Sequence, residues 1–290
     1  MPVKKPHSVI IATLWMAGTL FSFMAMAVGG RELSAQLSTF QILFFRSLVG
    51  LFIICALLIF TNIKQIATQH AGLHLIRNIA HFGGQFGWFY GIAYISLAKV
   101  FAIEFTLPVW TAILAAIILK ERLTLPRITA VGFGIVGMLI ILRPGMGVMD
   151  IASIAVLAGA ICYGLSHTLT KKIAASDTPV AILFYMTLIQ LPMGLVFCIS
   201  DWVTPSLEYW PWIAAVGVTA LSGHYCMARA LAIAPATVVV PMDFLRLPLI
   251  ALVGFVFYNE PFDGFVLAGA VIMLGGNLIN IRAEQKNSTQ

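Results

Sequence analysis

Residues 105–121 read FTLPVWTAILAAIILKE and residues 244–260 read FLRLPLIALVGFVFYNE. Each stretch starts on an aromatic residue, runs through an apolar body and closes on an acid. They stand 139 positions apart, close to half the length of the 290-residue chain. The same offset carries Glu104 onto Asp243, Gly84 onto Gly223, Phe45 onto Phe184 and Gly137 onto Gly276. The chain therefore reads as two copies of one unit, residues 1–145 and 146–290.

What that unit is follows from composition. The chain is 60% hydrophobic and 10% charged, with a mean hydropathy of +0.98. A soluble domain carries roughly 25% charged residues, so too little polar surface exists here to coat a core in water. About 20 apolar residues span a bilayer as a helix. Ten such runs can be read: 9–28, 38–60, 73–95, 98–119, 126–142, 151–170, 180–200, 207–230, 233–257 and 262–281. Breaks at Gly29-Gly30, Thr61-Asn62, Arg143-Pro144-Gly145, Asp177-Thr178-Pro179, Asp201 and Asn259-Glu260-Pro261 punctuate them. Only Ser96 to Lys99 separate the third from the fourth. The runs are too long for strands and lack a period of two. Lys4, Lys5 and Ala25-Met26-Ala27 imitate a secretory leader, but the intervening apolar run is too long for one.

Five spans per copy is an odd number, so the second copy must enter the membrane upside down. The expected fold is an all-α integral membrane protein with ten transmembrane helices in two inverted-topology five-helix repeats. That architecture recurs among secondary transporters, whose substrate site lies near the midplane where the repeats meet.

Charge sets the expected orientation. With the N-terminus in the cytoplasm, the inside segments hold ten basic residues (Lys4, Lys5, Lys64, Lys120, Arg122, Arg127, Lys171, Lys172, Arg282, Lys286). The outside segments hold three (Arg31, Lys99, Arg143), and four arginines fall within spans. Both termini are thus expected on the cytoplasmic side. The net charge of +6 is spread along the chain and forms no basic face, which argues against a nucleic-acid partner. Cys55, Cys162, Cys198 and Cys226 lie in apolar runs without metal-ligand spacing, so neither a metal, a cofactor nor a disulfide framework is expected. Nothing in the sequence fixes an oligomeric state.

The stretch Ala98–Pro108 running on to Glu121-Arg122-Leu123-Thr124, then Gly132–Gly137, resembles the EamA type of the drug/metabolite transporter superfamily. So does its second copy, from Ala234-Pro235-Ala236-Thr237 through Asn259-Glu260-Pro261 to Gly269–Gly276. The second copy departs in having Pro261 in place of Arg122 and Leu247 opposite Pro108. The resemblance covers nearly the whole chain. It implies a multi-pass carrier of the bacterial cytoplasmic (inner) membrane whose partners are the lipid bilayer and a small-molecule substrate. In that family the Glu-containing hairpin after the fourth helix of each repeat is a fold signature. Members include exporters of amino acids and toxic compounds and importers of metabolites such as S-adenosylmethionine or riboflavin. Phe44-Phe45-Arg46 and Arg77-Asn78 look more like the uptake subset.

Ionisable residues inside spans cost a few kcal/mol each to insert and are functional candidates by default. Glu104 and Asp243 occupy matching positions in spans four and nine, where symmetry lets both line one cavity. They either couple protons, recognise a cationic group or sit in structural ion pairs. Arg246, three residues after Asp243, either pairs with it along one helical face or anchors an anionic substrate group. Arg46 has no basic mate in the second copy, its counterpart being Tyr185, which suits a partner for Glu104 or for substrate. Arg77 and Arg229, near cytoplasmic helix ends, are expected to snorkel. His81, His167 and His224 read as neutral residues satisfied by neighbouring helices. His224 also matches Gln85 and so marks a polar position in both third helices, suited to a proton relay.

Gly83, Gly87 and Gly91 form a small-residue face for close helix packing. Trp88, Tyr90 and Trp110 either sandwich a planar substrate or pack the bundle. Pro108, Pro241 and Pro248 are expected to bend spans four and nine beside the acids, in a position suited to a gate, or to form static kinks. Together these features predict a secondary transporter working by alternating access. An intramembrane enzyme would need a motif such as HExxH, GxGD or a P-loop, none of which is present, and Ala220-Leu221-Ser222-Gly223 matches a rhomboid site poorly.

Overall fold

The structure, a computed structural model, describes residues 6–121, 124–145, 149–234, 239 and 242–287. Its helices are α1 (Pro6–Leu33), α2 (Thr39–Phe60), α3 (Ala71–Tyr94), α4 (Leu97–Glu104), α5 (Leu107–Ile118) and α6 (Leu125–Leu142) in the first half. The second half holds α7 (Ile151–Ile173), α8 (Pro179–Cys198), α9 (Trp210–Ile233), α10 (Arg246–Tyr258) and α11 (Gly264–Asn287). Two short 3₁₀ turns complete the set, and no strand occurs among the described residues. With α4 and α5 counted as one broken span, the described helices make ten spans, seven of them long and apolar enough by themselves to cross a bilayer. Their outer faces are apolar: Phe60, 87% exposed, is a side chain that only lipid would cover.

Polar side chains start the helices and fix their ends. Ser38, Ser96, Asp150 and Thr178 each accept a hydrogen bond from the backbone N–H three residues on, satisfying a donor that the helix itself leaves free. The two acid-closed hairpins end the fourth span of each repeat by one geometry. Lys120 and Asn259, exact repeat mates, are left-handed, with φ of 56° and 53°. The amides of Glu121 and Glu260 then donate back to the carbonyls of Ala115 and Gly254, six residues earlier in both repeats, so a left-handed residue closes each helix in the same way.

The loops sort to two ends of the bundle. Arg31 meets Glu260, Arg143 meets Asp263 and Lys99 meets Asp150 at one end. Glu121 meets Lys171 and Arg127, and Asp177 meets His74, at the other. Hydrogen bonds from Lys171 and Arg127 hold the Glu121 carboxyl below the ordinary carboxylate range. Burial acts to raise Asp177, but hydrogen bonds from Thr68, His74 and Ser176 outweigh it and hold that group at about 2.

Packing joins the two halves. The principal neighbours are α1 with α9, α2 with α8, α3 with α7 and α6 with α11. Glycines set the approach. A Cβ on Gly87 would collide with the carbonyl oxygen of Ala155, and one on Gly159 would lie 3.0 Å from the carbonyl oxygen of Gly84. Gly83 and Gly91 also face α7, at Cys162 and Val156, so the expected small-residue face is where α3 meets its partner.

Two expectations are corrected. Gly29-Gly30 does not end the first span, which continues to Leu33. These glycines admit Val216 and Phe89 at distances that a side chain would forbid. Among the described residues, Pro108 and Pro248 do not kink the fourth and ninth spans from within a helix. The break falls earlier, at Phe105-Thr106 and Phe244-Leu245, where the bonds Thr106 N–H to Ile103 O and Leu245 N–H to Met242 O tighten to a three-residue step. Pro108 stands at the start of α5 and Pro248 is the third residue of α10. A first helical turn has no intrahelical partner for its N–H groups, so proline fits there without loss. Pro241 lies outside the described residues.

Glu121 and Glu260 have unequal surroundings, and this yields a prediction. Glu260 accepts from Arg31 at 3.0 Å and from the Leu97 amide at 2.8 Å, with the ion-paired side chains 20% and 12% exposed. The Lys171 partner of Glu121 is 64% exposed. Glu260→Gln is expected to lower stability by about 1–3 kcal/mol. Glu121→Gln should cost less than about 1 kcal/mol. Thermal unfolding of both variants in detergent checks this, and equal losses would contradict it.

Candidate functional site

The break in span four leaves Glu104 as the last residue of α4, and the break in span nine puts Asp243 just before α10. Between them the repeat mates Phe105 and Phe244 stack face to face, with centroids 4.2 Å apart. The pseudo-two-fold axis therefore passes through the two breaks and brings the two acids to one place. Arg246 lies between them. Its Nη2 donates to Asp243 Oδ2 at 2.8 Å, and its Nη1 stands 3.6 Å from Glu104 Oε1. The guanidinium also faces the rings of Phe23, Phe101 and Phe105 at 4.9, 5.5 and 5.2 Å. Trp88 Nε1 donates to Glu104 Oε2 at 2.8 Å.

Glu104, Asp243, Arg246, Trp88 and Phe23 line a cavity of about 180 Å³. Arg46 enters it from α2; His81, Gln85 and Trp88 from α3. Tyr163 and His167 approach from α7, and His224 and Met227 from α9. Arg46 is buried and makes no ion pair with Glu104, whose partners are Arg246 and Trp88. Its guanidinium instead reaches the Gln85 side-chain amide, 2.7 and 3.1 Å from Nη1 and Nη2, whose oxygen is assigned to that side because only then does it accept from both. His81 lies 2.9 Å from Gln85 and 3.0 Å from Gln190 of α8, so it is satisfied by its own and a neighbouring helix, as expected. His224 packs edge-on against Phe23.

Of the residues singled out in the sequence, Glu104, Asp243, Arg246, Arg46, Trp88 and His224 thus meet in one cavity. Tyr90, Trp110, Pro108 and Pro248 do not line it. Tyr90 stacks in a column with Phe86 and Tyr94, because a shift of two residues from Trp88 turns a helical side chain well away. Trp110 donates to Thr106 Oγ1 at 3.0 Å and packs over Gly164. Arg77 does not snorkel: it is 6% exposed, donating to Thr170 and Asn78. Tyr163 carried no signal in the sequence. The Phe105–Phe244 contact did carry one, since the offset of 139 pairs them.

A bundle of ten spans in inverted halves, with a charged chamber enclosed at its middle, is the build of a membrane carrier. The chain belongs to the EamA-like transporter family, which matches residues 10–143 and 150–282. It is 25% identical to an S-adenosylmethionine uptake transporter of Rickettsia bellii, over 94% of each chain. It is 26% identical to a riboflavin transporter of Vibrio cholerae, over 92% of each. It is 25% identical to the pseudopaline exporter CntI of Pseudomonas aeruginosa, over 88% of this chain and 90% of that one. A crystal structure of a protein 16% identical superposes with a TM-score of 0.65, covering 92% of this chain and 95% of its own, a likeness of fold. The chain is a multi-pass membrane transporter.

Proposed function

We propose that the chain takes up a small organic metabolite across the bacterial cytoplasmic membrane by alternating access, with both termini cytoplasmic and proton movement coupled through Glu104 and Asp243. We also divide the chain at residue 145 into its two five-helix repeats, one on each side. One observation carries the reading: two acids related by the repeat meet at a single arginine, at the point where both of their helices are broken. Charge inside a membrane protein is retained where it binds or moves something. A broken helix is also the natural place for a hinge, because fewer regular backbone bonds must be remade there. The bias of ten basic residues to three supports the orientation. The uptake transporters among the relatives support the direction and make S-adenosylmethionine and riboflavin the first substrates to test. The cavity of about 180 Å³ is smaller than the roughly 300–1,000 Å³ of ordinary ligand pockets, so loading requires the bundle to open further.

The test is flux into proteoliposomes holding the purified protein, with each of these two substrates, with and without a pH gradient. Glu104→Gln and Asp243→Asn are each expected to lower the rate at least tenfold and to flatten its dependence on the gradient. Wild-type rates and wild-type pH dependence in both variants would refute the coupling role. Movement only from inside to outside would replace uptake by export.

A further inference from the structure

The two arginines of the cavity are not equivalent. Arg246 has two carboxylates and three aromatic rings. Arg46 is 5% exposed and lines the same cavity, yet among the described residues no carboxylate lies within 4.0 Å of it. Among those residues the hydrogen-bond partner of its guanidinium is the neutral Gln85 amide, and its Nε, like that of Arg246, is buried with no acceptor. A guanidinium enclosed without a counter-ion is expensive, and such a charge is found where a ligand supplies the missing partner. Planar, five-donor arginine fits a carboxylate by two parallel hydrogen bonds.

We propose that Arg46 receives a carboxylate of the transported metabolite, which makes the substrate a zwitterion rather than a neutral or purely cationic molecule. The acidic cluster in the same lining supplies the other half. Glu104, Asp243 and Arg246 as ionised groups sum to one negative charge, and Asp243 Oδ1 is buried with no donor. The cavity is therefore bipolar: an unpaired cation on α2, and an excess carboxylate where spans four and nine break. A molecule carrying a carboxylate and an ammonium, or another cationic group, is complementary in charge to both. Gln85 is the positioning residue. Pinned by His81 and Gln190, it holds the guanidinium plane in the cavity. Arg77 does not compete for this role, because Thr170 and Asn78 engage it away from the cavity lining.

The proposal rests on the transport reading for its site, and direct binding separates the two. Purified full-length protein in detergent is screened by ligand-induced thermal shift. The panel holds α-amino acids and their conjugates, each paired with its methyl ester, beside neutral metabolites and cations lacking a carboxylate. Hits are expected among the carboxylate zwitterions, with the ester binding about 100-fold more weakly, as loss of a charge-assisted pair implies. In Arg46→Gln the preference of acid over ester should fall to less than threefold, while Arg46→Lys keeps part of it. Without ligand, Arg46→Gln should be at least as heat-stable as wild type, whereas loss of a structural arginine would lower its unfolding temperature.

The proposal is overturned if no carboxylate zwitterion binds. It is equally overturned if acid and ester bind alike in wild type, or if Arg46→Gln keeps the wild-type preference. A ligand that binds with the expected preference but is not carried into proteoliposomes would refute the transport reading and leave this one standing.

Discussion

Arg246→Met is expected to abolish transport and to destabilise the protein by about 3–5 kcal/mol, the usual cost of removing one partner from a buried ion pair. Arg246 is 6% exposed, and its two carboxylate neighbours are the excess acids of the cavity. Taking it away leaves Glu104 with only the Trp88 donor and Asp243 with none among the described bonds. Two like charges then face each other in a poorly solvated space. The folded protein must protonate one of them, admit water or loosen the breaks in spans four and nine. The three phenyl rings that now face a cation would line a cavity beside those unpaired acids.

The triple variant Glu104→Gln, Asp243→Asn, Arg246→Met separates stability from function. It removes every charge of the cluster together, so most of the lost heat stability should return while transport stays absent. Thermal unfolding in detergent and flux in proteoliposomes read the two effects. If Arg246→Met alone melts with the wild type, the ion cluster does not hold the breaks together.

Gly87→Val should be the most disruptive change in the helix packing. The added Cβ would strike the carbonyl oxygen of Ala155 and lie 3.0 Å from its carbon and 3.1 Å from the Gly159 Cα. A side chain in the way can turn aside, but here the obstacle is backbone on a helix that is itself pressed against Gly84. Overpacking ordinarily costs about 1–3 kcal/mol, and a clash with main chain belongs at or above the upper end. The expected result is aggregation after extraction, or an unfolding temperature lowered by more than that of any other glycine variant. Gly132→Ala provides the contrast. A Cβ there meets nothing within 4 Å, so the variant should be neutral or gain about 0.5–1 kcal/mol from helix propensity. Size-exclusion profiles and melting curves of the pair decide the matter, and a well-behaved Gly87→Val would mean that α3 and α7 do not cross as closely as described.

Much of the fold and of the cavity is legible in the amino-acid sequence. The offset of 139 residues predicts that Glu104 and Asp243 meet, because symmetry in an inverted repeat is a statement about space. It also pairs Glu121 with Glu260, which share one backbone closure. The sequence is a weaker guide wherever two meanings share one residue type. Gly29-Gly30 reads as a stop in a linear scan but serves as a contact surface within a helix, since nothing local reveals which neighbour needs the space. Prolines announce an irregular helix without saying whether they break it or begin the next part. Arg46 is recognisably odd, yet its confinement with Gln85 depends on α3 and α8 arriving from elsewhere in the chain. Trp88 and Tyr90 differ by two positions and face different worlds, a distinction that periodicity alone does not orient.

The pairing of α1 with α9, α2 with α8, α3 with α7 and α6 with α11 bears on how such a machine must move. Each of these contacts takes one helix from either side of residue 145, and at the α3–α7 crossing main chain abuts main chain. A seam drawn along the repeat boundary would have to slide through the tightest joints in the molecule. Rigid bodies that keep these packed pairs intact would therefore be mosaics, each built from both ends of the polypeptide. Division by covalent repeat and division by tightest packing are different partitions of the same ten spans.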